Sequence, residues 1–111
     1  MAATASEGGK CSGGVVVVGS ANMDLFCYMA RFPKPHETIH GRRAATCCGG
    51  KGSNQCVMAA RMGAPTAMVA KLGRDAFGAT IRAAWKADGV DIRSVLIKWI
   101  TRCVLDPTSM T

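Results

Sequence analysis

The strongest constraint on this chain is the run Val15, Val16, Val17, Val18, followed directly by Gly19 and Ser20. Four β-branched residues with no polar alternation offer no face to water, and a parallel strand covered on both sides is the structure that suits them. The run therefore predicts a central strand of an open α/β sheet, ending at Gly19. With 111 residues, 49% of them hydrophobic, the chain suits one small domain and is too short for two.

The rest of the pattern follows from that strand. Residues 53–62, SNQCVMAARM, read as a helix with Ser53 as its cap and Gly63 as its stop. Ala59 and Ala60 keep one side of it small enough for close packing on a sheet. Residues 67–72 read as a second strand. In residues 75–89, DAFGATIRAAWKADG, Asp75 is the expected cap and Gly89 the expected stop, with Phe77, Ile81, Ala84 and Trp85 on one face. Residues 90–97 are apolar and β-branched enough for a third strand. Between the valines and the first helix, residues 24–47 hold short β-prone runs broken by Pro33, Pro35 and Gly41, which predicts strands joined by turns. The Gly/Ser-rich leader, residues 1–14, is expected to be disordered. The order strand, β excursion, helix, strand, helix, strand predicts a parallel α/β sheet.

Several function classes are disfavoured. The net charge of +7 is spread along the chain, and the basic positions Arg42, Arg43, Lys71 and Arg74 are not interleaved with any of the six aromatic residues (three Phe, two Trp, one Tyr), so no nucleic-acid partner is expected. No apolar run approaches the roughly 18 residues that a membrane helix needs, so no membrane partner is expected. Six cysteines in a chain whose first residues, MAATASEGGKCSGG, lack a signal-peptide core point to a reduced protein of the cytoplasm, with the nucleus as a second compartment. No C-x-x-C pair occurs, and the adjacent Cys47 and Cys48 are poorly spaced to chelate one metal.

Residues 36–40, HETIH, fit the H-E-x-x-H pattern of zinc hydrolases. That chemistry needs a helix to bring both histidines to one metal. Pro33 and Pro35 crowd its front, Gly41 closes it, and Thr38 and Ile39 are β-branched, leaving at most one helical turn. In an extended strand His36 and His40 would stand about 13 Å apart, beyond the reach of a single zinc. The zinc hydrolase is kept as the least favoured reading, and no metal ligand is assigned.

More informative is residues 48–54, CGGKGSN, where three glycines precede a helix start and let the backbone approach a ligand. Lys51 is followed by Gly52, so this is not a Walker A loop. Taken alone, the cluster reads equally as a tight entry turn, Asp24 as a turn aspartate and Lys51 as an exposed charge. Asn22 and Asp24, however, fall just past the carboxyl end of the buried strand, where open α/β sheets collect ligands. One carboxylate, two amides and one ammonium suit a polyhydroxylated ligand, because Asp24 accepts, Asn22 and Asn54 both donate and accept, and Lys51 donates. A sugar is the natural candidate.

At these residues the chain resembles a known family. The stretches VVVVGSANMDL, FPKPHETIHG, GGKGSNQCVMAARMGAPTAMVAKLGRDAFG and ADGVDI look like the amino-terminal portion of the ribokinases, and the glycine block with Asn54, Gly63 and Gly73 looks like the signature of the wider carbohydrate and purine kinase family. The resemblance runs from about residue 15 to residue 95. It implies a ribokinase-like (Rossmann-like) α/β fold truncated to its N-terminal part, a small β lid over residues 24–47, and ATP-dependent phosphorylation of D-ribose to ribose 5-phosphate with Mg²⁺ and a monovalent cation. It implies sugar contacts from Asn22, Asp24, Gly50, Lys51, Gly52 and Asn54, and a homodimer through the lid. The D-T-x-G-A-G-D block that carries the family's catalytic base is not in this sequence, nor are its ATP loops. The expectation is a chain that binds neither ATP nor metal and has no catalytic residue or activity alone. A second expectation is a non-catalytic sugar-binding or lid-pairing fragment that regulates a complete kinase. Residues 98–111 no longer resemble the family, and cysteines stand before the double glycine where the family usually places a larger side chain.

Overall fold

The computed structural model describes residues 13–98. Seven elements follow in order: β1 (Val15–Val18), β2 (Asn22–Tyr28), β3 (Arg43–Gly49), α1 (Lys51–Arg61), β4 (Thr66–Gly73), α2 (Ala76–Ala87) and β5 (Val95–Lys98). Strands β1, β4 and β5 form a parallel sheet in the order β1-β4-β5, and β2 and β3 form a separate antiparallel pair. The parallel sheet, its crossover helices and the β excursion between β1 and α1 are the architecture read from the sequence. The expected leader lies outside the described residues apart from Gly13 and Gly14, and the expected divergent tail apart from Lys98, which closes β5 with its carbonyl accepting from the Arg74 N–H at 2.7 Å.

The centre of the sheet is β4, not β1. Thr66, Met68, Ala70 and Leu72 alternate onto one face of β4 and are buried there, packed with Cys56 of α1, Ile81 and Trp85 of α2, and Val90. Both helices thus lie over the same face. The valine run is corrected accordingly: among the described residues β1 has β4 as its one neighbour, and only Val17 joins the core cluster. Val16 and Val18 are 65% and 77% exposed because none of the described elements lies on their side. The apolar run states what the strand needs, not what these residues supply.

Helix α1 begins two residues earlier than expected. Gly50 is its N-cap at φ 98°, with no side-chain cap, and Ser53 is instead buried inside the first turn, its hydroxyl accepting from Trp85 Nε1 at 2.8 Å. The expected stop holds: Gly63 takes φ 89°, its N–H donates to the Ala60 carbonyl at 2.9 Å, and the Ala64 N–H donates to the Ala59 carbonyl at 3.1 Å, the paired bonds of a Schellman end. In α2 the Asp75 carboxylate caps the helix by accepting from the Gly78 N–H at 2.7 Å, and Gly89 ends it. Ile81 and Trp85 are buried as expected, but Phe77 is 42% exposed. Gly78 occupies the inward position, where a Cβ would collide with the Gly73 carbonyl oxygen.

The third strand is shorter than residues 90–97. Asp91 bridges to Ala67, but its carboxylate then accepts from the Arg93 backbone N–H at 3.0 Å and the Val95 N–H donates to the Ile92 carbonyl at 3.1 Å. This aspartate turn diverts the chain before β5 begins. The exposed Arg93 guanidinium holds the Asp91 carboxyl at about 2. Among the described residues no helix is long and apolar enough to cross a membrane.

Candidate functional site

The end of β1 and the start of α1 meet backbone to backbone. A Cβ on Gly52 would stand 2.8 Å from Gly19 Cα and 2.9 Å from Ser20 N, and one on Gly50 would stand 2.7 Å from both Ala21 Cα and the Ser20 carbonyl oxygen. Only glycine permits this crossing. It is locked by the Ser53 N–H donating to the Ser20 carbonyl at 3.0 Å, and the Asn54 N–H closes the first helical turn on the Gly50 carbonyl at 2.9 Å.

The β2–β3 register brings the other candidates to the same place. Asn22 pairs with Gly49 and Asp24 with Cys47, so alternation puts Asn22, Asp24, Cys47 and Gly49 on one face. Met23 and Cys48 take the opposite face and pack toward the core. The Asp24 carboxylate lies over Gly49, where a Cβ would collide with it. Asp24 is thereby seated one residue before the N-cap of α1. On α1, Gly52, Ser53 and Cys56 are buried, whereas Lys51 and Asn54, three residues apart, are exposed and share the outward side. The structure therefore gathers Asn22 and Asp24 beside the segment that carries Gly50, Lys51, Gly52 and Asn54. Gly19 and Gly49 lie at the same place; sequence reading treated Gly19 only as a strand stop and counted Gly49 among the three glycines before the helix, and only the fold shows what each must avoid. With no acidic residue in the first turn of α1, the helix dipole and Lys51 make that end electropositive beside one carboxylate.

The loop of residues 29–42 contains HETIH and no helix. His36 is at φ 63°, and Glu37 is engaged by Arg31 at 2.7 and 2.5 Å and by the Lys34 N–H at 2.8 Å. The Arg31 guanidinium pulls the exposed Glu37 carboxyl below the usual range. The zinc pattern thus lacks the helix that would give it meaning. Among the described residues no three or more His, Cys, Asp or Glu side chains converge as a metal site.

The four cysteines among the described residues are free: Cys27 and Cys47 are exposed, Cys48 is half-buried and Cys56 is buried. Burial pushes the Cys48 and Cys56 thiols up, and the thiolate is the reactive form. With a small disulfide reagent and peptide mapping, Cys27 and Cys47 are expected to label well before Cys56; first labelling at Cys56 would mean that α1 is not packed on β4.

The profile of the pfkB family carbohydrate kinases matches residues 13–103. The chain belongs to the pfkB family. The match continues past Ile97, where the resemblance read from the sequence stopped. Among pfkB relatives, this chain is 56% identical to mouse ribokinase over 64 residues, which are 58% of this chain and 20% of that protein. It is 46% identical to Bacillus subtilis ribokinase over 76 residues, 68% of this chain and 26% of that protein. In structure it matches Arabidopsis thaliana ribokinase complexed with ribose and ATP at a TM-score of 0.70 and 41% identity, covering 76% of this chain and 28% of that one. It matches the Cryptococcus neoformans ribokinase in complex with ADP at 0.71 and 30%, covering 78% and 27%. The chain therefore spans between a fifth and about a quarter of the length of these relatives. The ribokinase-like fold, a parallel sheet with a small antiparallel lid, is shared with them.

Proposed function

We propose that this chain forms the sugar-binding portion of a ribokinase-type carbohydrate kinase, with D-ribose as the ligand and Asn22, Asp24, Gly50, Lys51, Gly52 and Asn54 as its cradle. The observation that carries this reading is the Asp24 carboxylate seated over Gly49 at the entrance to α1. It sets a charged acceptor on β2 beside the electropositive start of a helix, a pairing suited to hydroxyl groups that must both donate and accept. Asp24 accepts from sugar hydroxyls, Asn22 and Asn54 do both, and Lys51 and free N–H groups of the first turn donate. Gly50 and Gly52 keep the backbone close enough to take part. The β2–β3 pair covers the sugar as a lid. In relatives of full length the phosphoryl group comes from ATP; the role proposed for this chain is to bind and orient ribose, without phosphorylating it alone.

Calorimetric titration of the full chain tests this. Weak ribose heat is expected, with no ATP heat and no ribose phosphate formed. Asp24→Ala should lower ribose affinity by about 10- to 100-fold, the loss that goes with a hydrogen bond to a charged group. Unchanged binding in Asp24→Ala would overturn the site, and ribose phosphate accumulating with ATP and magnesium would overturn the claim of incompetence.

A second reading is a lid-pairing fragment that regulates a complete kinase. It is favoured by the exposure of Leu25 (67%), Phe26 (46%) and Tyr28 (47%) along β2, apolar surface that a monomer leaves unused. Mixing with a full-length ribokinase and finding neither subunit exchange nor altered activity would eliminate it.

A further inference from the structure

We propose that Ser53 and Trp85 form a positioning pair, which fixes the first turn of α1 and with it the places of Lys51 and Asn54. This rests on the sugar site proposed above, but its physical core is independent of the ligand. Gly50 brings no capping side chain to α1, and Gly50 and Gly52 have no side chains with which to hold the segment. Among the described residues, the bond from Trp85 Nε1 to Ser53 Oγ at 2.8 Å is the one side-chain hydrogen bond made by residues 50–54. Ser53 is 3% and Trp85 1% exposed, so neither group can turn to water instead.

The two polar groups of Ser53 act in different directions. Its hydroxyl receives the indole N–H from α2, while its backbone N–H donates to Ser20 at the end of β1. Trp85 is itself held by the core cluster that includes Met68 and Ile81. A continuous path therefore runs from the core through Trp85 and Ser53 to the β1–β2 connection that leads into Asn22. Ser53 is the third residue of a helix whose exposed first and fourth residues are Lys51 and Asn54, and a shift of this turn moves both together. Neither Ser53 nor Trp85 reaches the sugar; they act through the residues that do. Such supporting contacts decide whether a site is held to within about 0.5 Å.

The test uses the full chain. In Ser53→Ala, amide hydrogen exchange at Ser53 and Asn54, whose N–H groups are bonded to the Ser20 and Gly50 carbonyls, is expected to quicken about tenfold while residues 57–60 keep their protection. Ribose affinity should fall about tenfold. Ser53→Thr, which keeps the hydroxyl, should recover both. Trp85→Phe, read by exchange and calorimetry, should loosen the same two amides. Ile81→Val, a core change that keeps the Trp85–Ser53 bond, should lower the melting temperature and leave exchange and affinity at residues 51–54 unaltered. Wild-type exchange and ribose affinity in Ser53→Ala would overturn the proposal, as would an equal loosening of residues 51–54 by Ile81→Val. If the parent chain shows no ribose response, the sugar reading fails on that result, and exchange at residues 51–54 still decides whether Ser53 and Trp85 position the turn.

Discussion

Gly50→Ala is expected to destabilise the chain by about 2–6 kcal/mol, combining a strained backbone of about 1–3 kcal/mol with overpacking of similar size. The residue sits at φ 98°, a conformation that L side chains rarely adopt. Its Cβ would also press on Ala21 Cα and the Ser20 carbonyl oxygen, both at 2.7 Å, and these are backbone atoms that cannot swing aside. Against a total stability of about 5–15 kcal/mol for a domain, the loss is large enough to appear as a strongly lowered urea midpoint. Gly49→Ala makes the informative contrast. The three atoms nearest its new Cβ all belong to the Asp24 carboxylate, the end of an exposed side chain that can rotate away, so the fold should survive while ribose binding is lost. A Gly50→Ala chain within 1 kcal/mol of wild type would show that β1 and α1 do not cross as described.

Trp85→Ala is expected to cost about 3–5 kcal/mol, the range for emptying a buried aromatic site. The ring is the largest fully buried side chain among the described residues, at 1% exposure, and it is the point where α2, α1 and β4 meet. Its removal also strands the Ser53 hydroxyl, buried at 3%. Trp85→Phe should cost less, since most of the apolar ring remains. Equilibrium unfolding of the two variants separates the packing loss from the hydrogen-bond loss. Equal midpoints for Trp85→Ala and wild type would mean that α2 is not docked on β4.

The elements were legible wherever local chemistry alone decides them. Asp75 before a helical pattern and glycines at 63 and 89 after one act within a few residues, and all three do what their types imply. The misreadings have two causes: for the valines and Ser53 the deciding partner is distant in sequence, and for Phe77 and Asp91 a contact within a few residues competes with the pattern. Val16 and Val18 read as a buried strand because composition records the neighbours a strand wants, and here one of its faces stays open. Ser53 read as a cap because the type suits that role, yet Trp85, 32 residues on, claims its hydroxyl. Phe77 read as core, but Gly78 takes the inward place because the Gly73 carbonyl lies against it. Asp91 drew β5 away from its expected start through a turn bond that competes with the sheet.

The site followed the same division. Asn22, Asp24, Lys51 and Asn54 were visible as types suited to hydroxyl groups, and Gly50 and Gly52 through the family resemblance. Their meeting depends on the β2–β3 register, which sequence spacing does not give. HETIH was the opposite case, a motif without its helix, and the prolines in front of it announced as much.

The most direct test of two segments, the start of β2 and the start of α1, converging on one carbohydrate is titration of isotope-labelled full chain with D-ribose, followed by amide chemical shifts. The account predicts saturable shifts at Asn22, Asp24 and residues 49–54 that share one dissociation constant. Shifts confined to only one of those segments, or centred instead on the α2–β5 groove around Arg82 and Lys86, would contradict it.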